Sequence, residues 1–453
     1  MIPSYDDLKT WDHAYLWHPF TQMQEWLAED PVIIAQGQGS YLIDVHGNRY
    51  LDGVSSLWCN VHGHTHPDLN SAIAEQLGQI AHSTMLGLAN VPSILLAKEL
   101  IKVAPAGLTR VFYSDAGATA VEIALKIAYQ YWQLRGASQK QKFASLIEAY
   151  HGDTLAAMSV GYSEVFHHYY QPILSSAFRL TPPHIFRFDQ GMSESEATAA
   201  AIAEARTVLD VHHHEIAALI VEPLMQGAAG MWAHSVKYLQ ALRELTTQHD
   251  VLLICDEVAT GFGRTGRMFA CEHAGVHPDL MCVAKGITGG YLPLAATFTT
   301  ETIFSAFLAP YEEFKAFFHG HTYTGNPLAC AAALASLATF EREQVIVKLG
   351  PKITLLTRRL QADFAPLAHI ADIRQWGMMV GVELMQDPQR KVSYPAKDRL
   401  GVKVIQEARK QGVIIRPLGN IIILMPPLSI TEEELTTLLD VTLHSIRTVT
   451  ERV

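Results

Sequence analysis

Two residues near the middle of the chain invite chemistry. Asp256 closes the apolar run Val251-Leu252-Leu253-Ile254-Cys255, and Lys285 follows a second run, Leu280-Met281-Cys282-Val283-Ala284. Unbroken apolar runs of this length read as strands buried on both faces, the pattern of a parallel sheet. In open α/β sheets function gathers beyond the carboxyl ends of the strands, where both residues stand. An amine and a carboxylate in that position suit pyridoxal phosphate. The amine can form a Schiff base, and the carboxylate can keep the pyridine nitrogen protonated so that the ring draws off electrons. Taken alone, the pair also has a plainer explanation: a solvated lysine, and an acid capping the next helix.

Further candidates flank the pair. The strand Arg110–Tyr113 runs into Ser114-Asp115-Ala116-Gly117-Ala118 and then a long helix. Small residues at a helix N-terminus let backbone N–H groups close on an anion, and the helix dipole favours its charge. An ordinary turn capped by Ser114 or Asp115 would look the same. Phe143–Ile147 reads as a strand leading to Tyr150-His151-Gly152-Asp153, where an aromatic ring could stack on a flat cofactor or simply pack. Ile216–Val221 is a third buried strand, and it too ends in an acid, Glu222.

Two other motifs are rivals. His62, His64 and His66 alternate in a way that invites a metal reading, but Gly63 and Pro67 make the segment a loop with no Cys or acid ligand following nearby, and no metal site is expected. Gly261-Phe262-Gly263-Arg264-Thr265-Gly266 fits G-x-G-x-x-G after a strand, the mark of a dinucleotide site. No apolar helix opens at Gly266 and no acid closes a second strand about twenty residues on, so it is expected to be a glycine-rich loop at the mouth of the site.

The chain around these residues is ordinary in bulk. It has 453 residues, 49% hydrophobic and 17% charged, with 34 Lys and Arg against 45 Asp and Glu, a net charge of −11. That balance argues against nucleic acid or an anionic membrane as partner. The five cysteines are scattered without a C-x-x-C pair, which suggests buried thiols in a reducing compartment. No basic-then-apolar leader and no stretch long enough to span a bilayer is evident, so a cytoplasmic protein is expected.

The pattern predicts an α/β fold with a mainly parallel central sheet and a smaller αβ domain built from both termini. Residues 1–66 form an aromatic-rich arm and a β-meander, 67–343 a large domain, and 344–453 the rest of the small domain. Helices are predicted over 67–80, 92–103, 193–210 and 235–249, and strands over 370–375, 379–384, 412–416 and 421–425.

In this order, the motifs resemble the class III (ω-amino-acid type) aminotransferases of fold type I. Asp256-Glu257-Val258 with the 261–266 glycines, Ala284-Lys285-Gly286, Glu222-Pro223 and Thr322-Tyr323-Thr324-Gly325-Asn326-Pro327 carry the likeness, which covers nearly the whole chain. Within the class, the chain is most similar to the branch that aminates 8-amino-7-oxononanoate in biotin synthesis. That likeness rests on Trp17-His18-Pro19-Phe20-Thr21, Ser55-Ser56-Leu57-Trp58, Tyr131-Trp132, Tyr150–Asp153 and Arg416-Pro417-Leu418-Gly419. Many relatives in the wider class place an arginine three residues before the Pro-Pro pair for an α-carboxylate; here that residue is Ile423.

The resemblance implies roles. Lys285 forms the Schiff base with pyridoxal phosphate and shuttles the proton, Asp256 pairs with the pyridinium, and Tyr150 stacks on the ring. Glu222 and His321 belong to the cofactor site. Gly117 and Ala118 hold the phosphate, which Thr322 reaches across a subunit interface, so a homodimer with shared sites is implied. Phe20, Trp58, Tyr150, Lys285, Gly320 and Arg416 bind substrate. The donor is either S-adenosylmethionine or L-lysine. Members using S-adenosylmethionine carry Tyr where Phe20 stands and Trp-Trp where Leu57-Trp58 stands, and tend to have Pro in place of His321, so these departures lean toward lysine. Three rivals remain: another class III ω-transaminase, a cofactor-binding regulator without catalysis, and a dinucleotide-binding dehydrogenase.

Overall fold

The computed structural model describes residues 3–188 and 191–451. Its centre is a seven-stranded sheet in the order Leu108–Ser114, Ala295–Thr300, Leu280–Val283, Leu252–Asp256, Ile216–Val221, Lys142–Leu146, Phe178–Leu180. All neighbours are parallel except Ala295–Thr300, which runs against both strands beside it. The expected mainly parallel sheet is therefore present, with one reversed strand.

Period-two alternation explains why the central strands are apolar throughout. Leu253 and Cys255 join one core, and Leu252 and Ile254 join the core on the opposite face. The second core is closed by the helix Gly117–Leu134, whose Ala120, Ile123, Ala124 and Ile127 are buried against the sheet. Each fully buried Leu or Ile contributes about 1.5–3 kcal/mol of transfer free energy, which fixes the register of the strands that end in Asp256, Glu222 and Lys285.

Two smaller sheets complete the chain. Ile370–Trp376, Met379–Leu384, Ile421–Leu424 and Arg416–Leu418 form an antiparallel sheet. The N-terminal meander Ile34–Gln38, Tyr41–Asp44, Arg49–Asp52 gains a fourth, parallel strand from near the other end of the chain, with Leu51 opposite Val413 and Asp52 opposite Ile414.

Predicted helices and strands fall close to the observed ones. The helix expected over 193–210 is Glu194–His212, with the Ser193 side chain accepting from the Glu196 N–H. The stretch expected as one strand over 412–416 is split: Val413–Ile414 pairs with the meander, and Arg416–Leu418 with Ile421–Leu424. The segment after the meander opens with a tight turn, Ser55–Trp58.

Candidate active site

Parallel strands deliver their carboxyl ends to one edge. Cys255 lies opposite Val221 and Asp256 opposite Cys282, so Asp256, Glu222 and the Ala284-Lys285 step emerge side by side. The strand ending at Ser114 runs the same way, because two reversals separate it from Leu280–Val283. It brings Asp115–Ala118 to the same edge. Together with Tyr150–Thr154 and Trp58 these residues line a cavity of about 760 Å³.

Asp256 is buried and fully engaged. One carboxylate oxygen accepts from the Val258 N–H at 3.0 Å, and the other lies 2.7 Å from His151 Nδ1. Facing a carboxylate, Nδ1 carries the proton and donates it. The His151 ring is enclosed, and its Nε2 has no partner among the described residues. Glu222 accepts from the Tyr150 N–H at 3.1 Å and the Gly227 N–H at 2.9 Å. Burial outweighs these bonds and raises its pKa to about 7.

Lys285 adopts a left-handed conformation, φ 46°, at the start of a short 3₁₀ turn. Its Nζ sits 4.9 Å above the Trp58 ring. Burial lowers its pKa, against the opposing pull of Asp256 and Glu222. A depressed ammonium pKa leaves more of the neutral, nucleophilic amine near neutral pH.

The first turn of helix Gly117–Leu134 faces the same cavity, and the N-cap is Ala116, neither Ser114 nor Asp115. Alanine has no side chain that could satisfy the first N–H groups, so Gly117 and Ala118 keep donors available for an anion. The approach is close. A Cβ on Gly117 would meet Val258 Cγ1 at 2.5 Å, and one on Gly152 (φ 119°) would meet the Ala118 Cβ at 2.3 Å.

Tyr150 donates from its phenol to Asp153 at 2.7 Å, and its ring stacks on the enclosed His167 at 6.1 Å between centroids. Burial, with help from Asp153, pushes the phenol pKa far up, so Tyr150 stays protonated. For Asp153, burial works toward a higher pKa, but the bonds from His167 and Tyr150 prevail and lower it.

The remaining candidates do not line this cavity. Phe20 is 57% exposed, with its ring 5.7 Å from Phe166, itself 6.3 Å from Tyr150. Arg416 is half-buried on its strand, and burial lowers its pKa. Gly320 and Thr322 are exposed, while His321 pairs through Nδ1 with Asp115 at 2.7 Å. The glycine loop is a correction: Gly261–Thr265 is buried, not at the mouth of the site. Gly263 packs against Leu428, Ile346 and Phe340, and Arg264 donates to the carbonyls of Pro426, Trp58 and Asn60. Only Val258 and Ala259, ahead of the glycines, reach the cavity. Glu257, the neighbour of Asp256, shapes this loop by accepting from Thr260, Ala270 and Cys271.

Reading the sequence missed the partnership of His151 with Asp256 and of Asp153 with Tyr150. The signal was present, since both residues sit in the quoted Tyr150–Asp153 motif, but one strand end gives no hint of which neighbour it meets.

A lysine, a braced carboxylate and an uncapped helix N-terminus around one cavity are what a fold type I transferase requires. The family model for class-III aminotransferases matches residues 23–446, and the chain belongs to that family. It is thus an aminotransferase. Adenosylmethionine-8-amino-7-oxononanoate aminotransferase of Nitratidesulfovibrio vulgaris is 51% identical, over 98% of this chain and 82% of the relative. The Geobacter sulfurreducens protein of the same name is 48% identical over 99% and 100%. Among solved structures, adenosylmethionine-8-amino-7-oxononanoate aminotransferase from Methanocaldococcus jannaschii has a TM-score of 0.94 at 46% identity, covering 98% of this chain and 100% of its own. An (S)-enantioselective omega-transaminase from Thermomicrobium roseum also reaches 0.94, at 32% identity and 99% coverage of both chains, so the backbone alone does not choose the substrate.

Proposed function

We propose that this chain transfers an amino group to 8-amino-7-oxononanoate, giving 7,8-diaminononanoate for biotin synthesis, with pyridoxal phosphate as cofactor and S-adenosylmethionine as donor. The observation that carries the reading is near-full-length identity of 46–51% to relatives named for this reaction, as in M. jannaschii and N. vulgaris. The cavity supports the cofactor: a lysine amine, a carboxylate backed by His151 and the uncapped Gly117–Ala118 turn share one wall. When bound, pyridoxal phosphate supplies an electron sink for the carbon that loses its proton.

The chain's own residues do the rest. Lys285 supplies the amine that holds the cofactor and, when released, moves the proton to and from the substrate carbon. Asp256, fixed by the His151 N–H, holds the proton on the ring nitrogen. Gly117 and Ala118 take the phosphate, Tyr150 covers the ring, and Glu222 fixes the Tyr150 backbone beside it. Trp58 and Phe20 offer apolar walls to the methylene chain, and Arg416 can grip the terminal carboxylate with two parallel bonds. Donor and acceptor occupy the site in turn.

The reading includes a homodimer. Trp17 (88% exposed), Leu86 (90%) and Tyr323 (61%) leave large apolar surfaces for a second copy to cover. Gly320, His321 and Thr322 then contribute to the partner's site. We also assign 67–343 to one domain and 1–66 with 344–453 to the other, supported by the pairing of Leu51 with Val413 and Asp52 with Ile414. Five free cysteines suit a cytoplasmic location, and no helix of the described residues is long and apolar enough to cross a membrane.

Lysine as donor is the second reading. It is favoured by Leu57 and Phe20, whose apolar side chains are 47% and 57% exposed where the polar contacts of S-adenosylmethionine-using members are expected. The test is product formation by purified, cofactor-loaded protein given 8-amino-7-oxononanoate with either donor. Diaminononanoate with S-adenosylmethionine alone supports the first reading, and with lysine alone the second. No product with either donor contradicts the acceptor assignment.

A further inference from the structure

The alternating histidines do structural work that reaches the substrate pocket. His62 pairs with Ser336 at 3.0 Å, and His66 accepts from the Asp68 N–H at the start of its helix. His64 is different. Its Nδ1 accepts from Asn60 Nδ2 at 3.0 Å, which puts the ring proton on Nε2, 3.0 Å from Asp52. The two backbone bonds between His64 and Gly39 lock it onto the end of the meander.

Asp52 is fully buried, and it accepts far more than the His64 proton. Its oxygens take the Ser56 N–H at 2.8 and 3.0 Å and the Val54 N–H at 3.3 Å. These donors lie in the turn that carries Trp58, and the turn is unfavourable for ordinary residues. Ser55 has φ 53°, Ser56 φ 60° with ψ −85°, and Trp58 φ 64°. Non-glycine residues hold such angles only where their surroundings impose them. Trp58 is the aromatic wall beneath Lys285 Nζ. It belongs to a buried cluster with Met225, Met231, Ile421 and Met425. The cluster is thus adaptable and the backbone is clamped.

We propose that Asp52 and His64 are positioning residues for substrate binding. They hold the strained Ser55–Trp58 turn, with positive φ at Ser55, Ser56 and Trp58, so that the Trp58 indole stands in the pocket. His64 keeps the Asp52 carboxylate aimed at Ser56, and Asp52 holds the turn. Neither touches the reacting atoms. The proposal rests on the reading that Trp58 lines the substrate site.

The test compares wild type, His64→Ala and His64→Ala/Ser56→Gly as cofactor-loaded enzyme, by crystal structure and by kinetics with 8-amino-7-oxononanoate. With the brace gone, the Trp58 indole should leave its place over Lys285. KM for the oxo acid should rise about tenfold while kcat changes less than about threefold, the mark of lost uniform binding. Glycine at 56 relieves the backbone strain, so the double variant should recover most of the affinity, which a merely structural loss elsewhere would not allow. An indole that stays in place in His64→Ala, or an unchanged KM, overturns the proposal. If His64→Ala does not fold, the isosteric Asp52→Asn serves, with the same rise in KM expected and an unchanged KM again overturning it. Should wild type not accept the oxo acid, the function proposed above fails, while the position of Trp58 in the crystals still decides this inference.

Discussion

The inner wall of the cavity and the candidate residues outside its lining are built on different terms. The inner wall is Asp256, Glu222, Lys285 and the Gly117–Ala118 turn, each fixed at the end of a strand or the start of a helix in the central sheet. Its polar atoms are braced by near neighbours such as His151 and the Tyr150 N–H. The outlying candidates are Phe20, Arg416 and residues 320–322, carried on an arm, a short strand and a loop outside the cavity lining, with Phe20, Gly320 and Thr322 exposed. The wall is thus held in place by its neighbours; in the function proposed above it takes the cofactor, and the outlying residues take substrate. Omega-transaminases at about 30% identity share the backbone closely.

That contrast can be broken at several points, and the wall should be the more sensitive. Asp256→Asn keeps the shape but removes the charge proposed to hold a proton on the ring nitrogen. It should lower kcat by roughly 10³-fold while the cofactor still binds. A rate near wild type would remove Asp256 from its role. His151→Ala leaves the carboxylate in place but frees it to turn, so a loss of about 10–100-fold is expected, as for other residues that orient a functional group from behind. Among the outlying candidates, Arg416→Ala should raise KM for the oxo acid by about 10–100-fold through the lost charged hydrogen bonds, with little change in reaction at the amino donor. Equal losses with both substrates would show that Arg416 acts on the fold and not on the carboxylate.

The wall also carries a pH signature. The Glu222 pKa is raised to about 7 in the folded chain, against an ordinary glutamate value near 4.5. The folded state then binds the proton more tightly than the unfolded one. Its contribution is fully present below about pH 4.5 and is lost as pH rises toward 7. Glu222→Gln in cofactor-free protein should raise the melting temperature relative to wild type at pH 8, by about 1–3 °C, and by less at pH 5. The opposite ordering would contradict the burial of a strained carboxylate at this position.

How much could be read from the chain follows the same division. Asp256, Glu222 and Lys285 stand out because each follows an apolar run that the sheet buries on both faces. The sheet and most helices follow from the same patterning and from caps such as Ser193 and Asn326. The partnerships are another matter. His151 meets Asp256 across 105 residues and Asp52 governs a turn locked to Met425, so no local pattern could reveal them. The glycines at 261–266 misled because their spacing suits a mouth loop. Their positive φ values at Gly263 and Gly266 serve instead to pack the loop against Leu428, Phe340 and Ile353. His62, His64 and His66 do not converge on one point, since they bond separately to Ser336, Asp52 and Glu343, but the premise that no acid lies near them is corrected: His66, Asp68 and Glu343 hold ligand atoms within 4.8 Å of one another.

The most direct test of the account is turnover by Lys285→Ala. Purified with pyridoxal phosphate, this variant should lose the wild-type visible absorption band and fall more than about 10⁴-fold in kcat, because both the covalent anchor and the proton carrier are gone. Repeated turnover near the wild-type rate in the Ala variant would contradict it and place the chemistry elsewhere in the cavity.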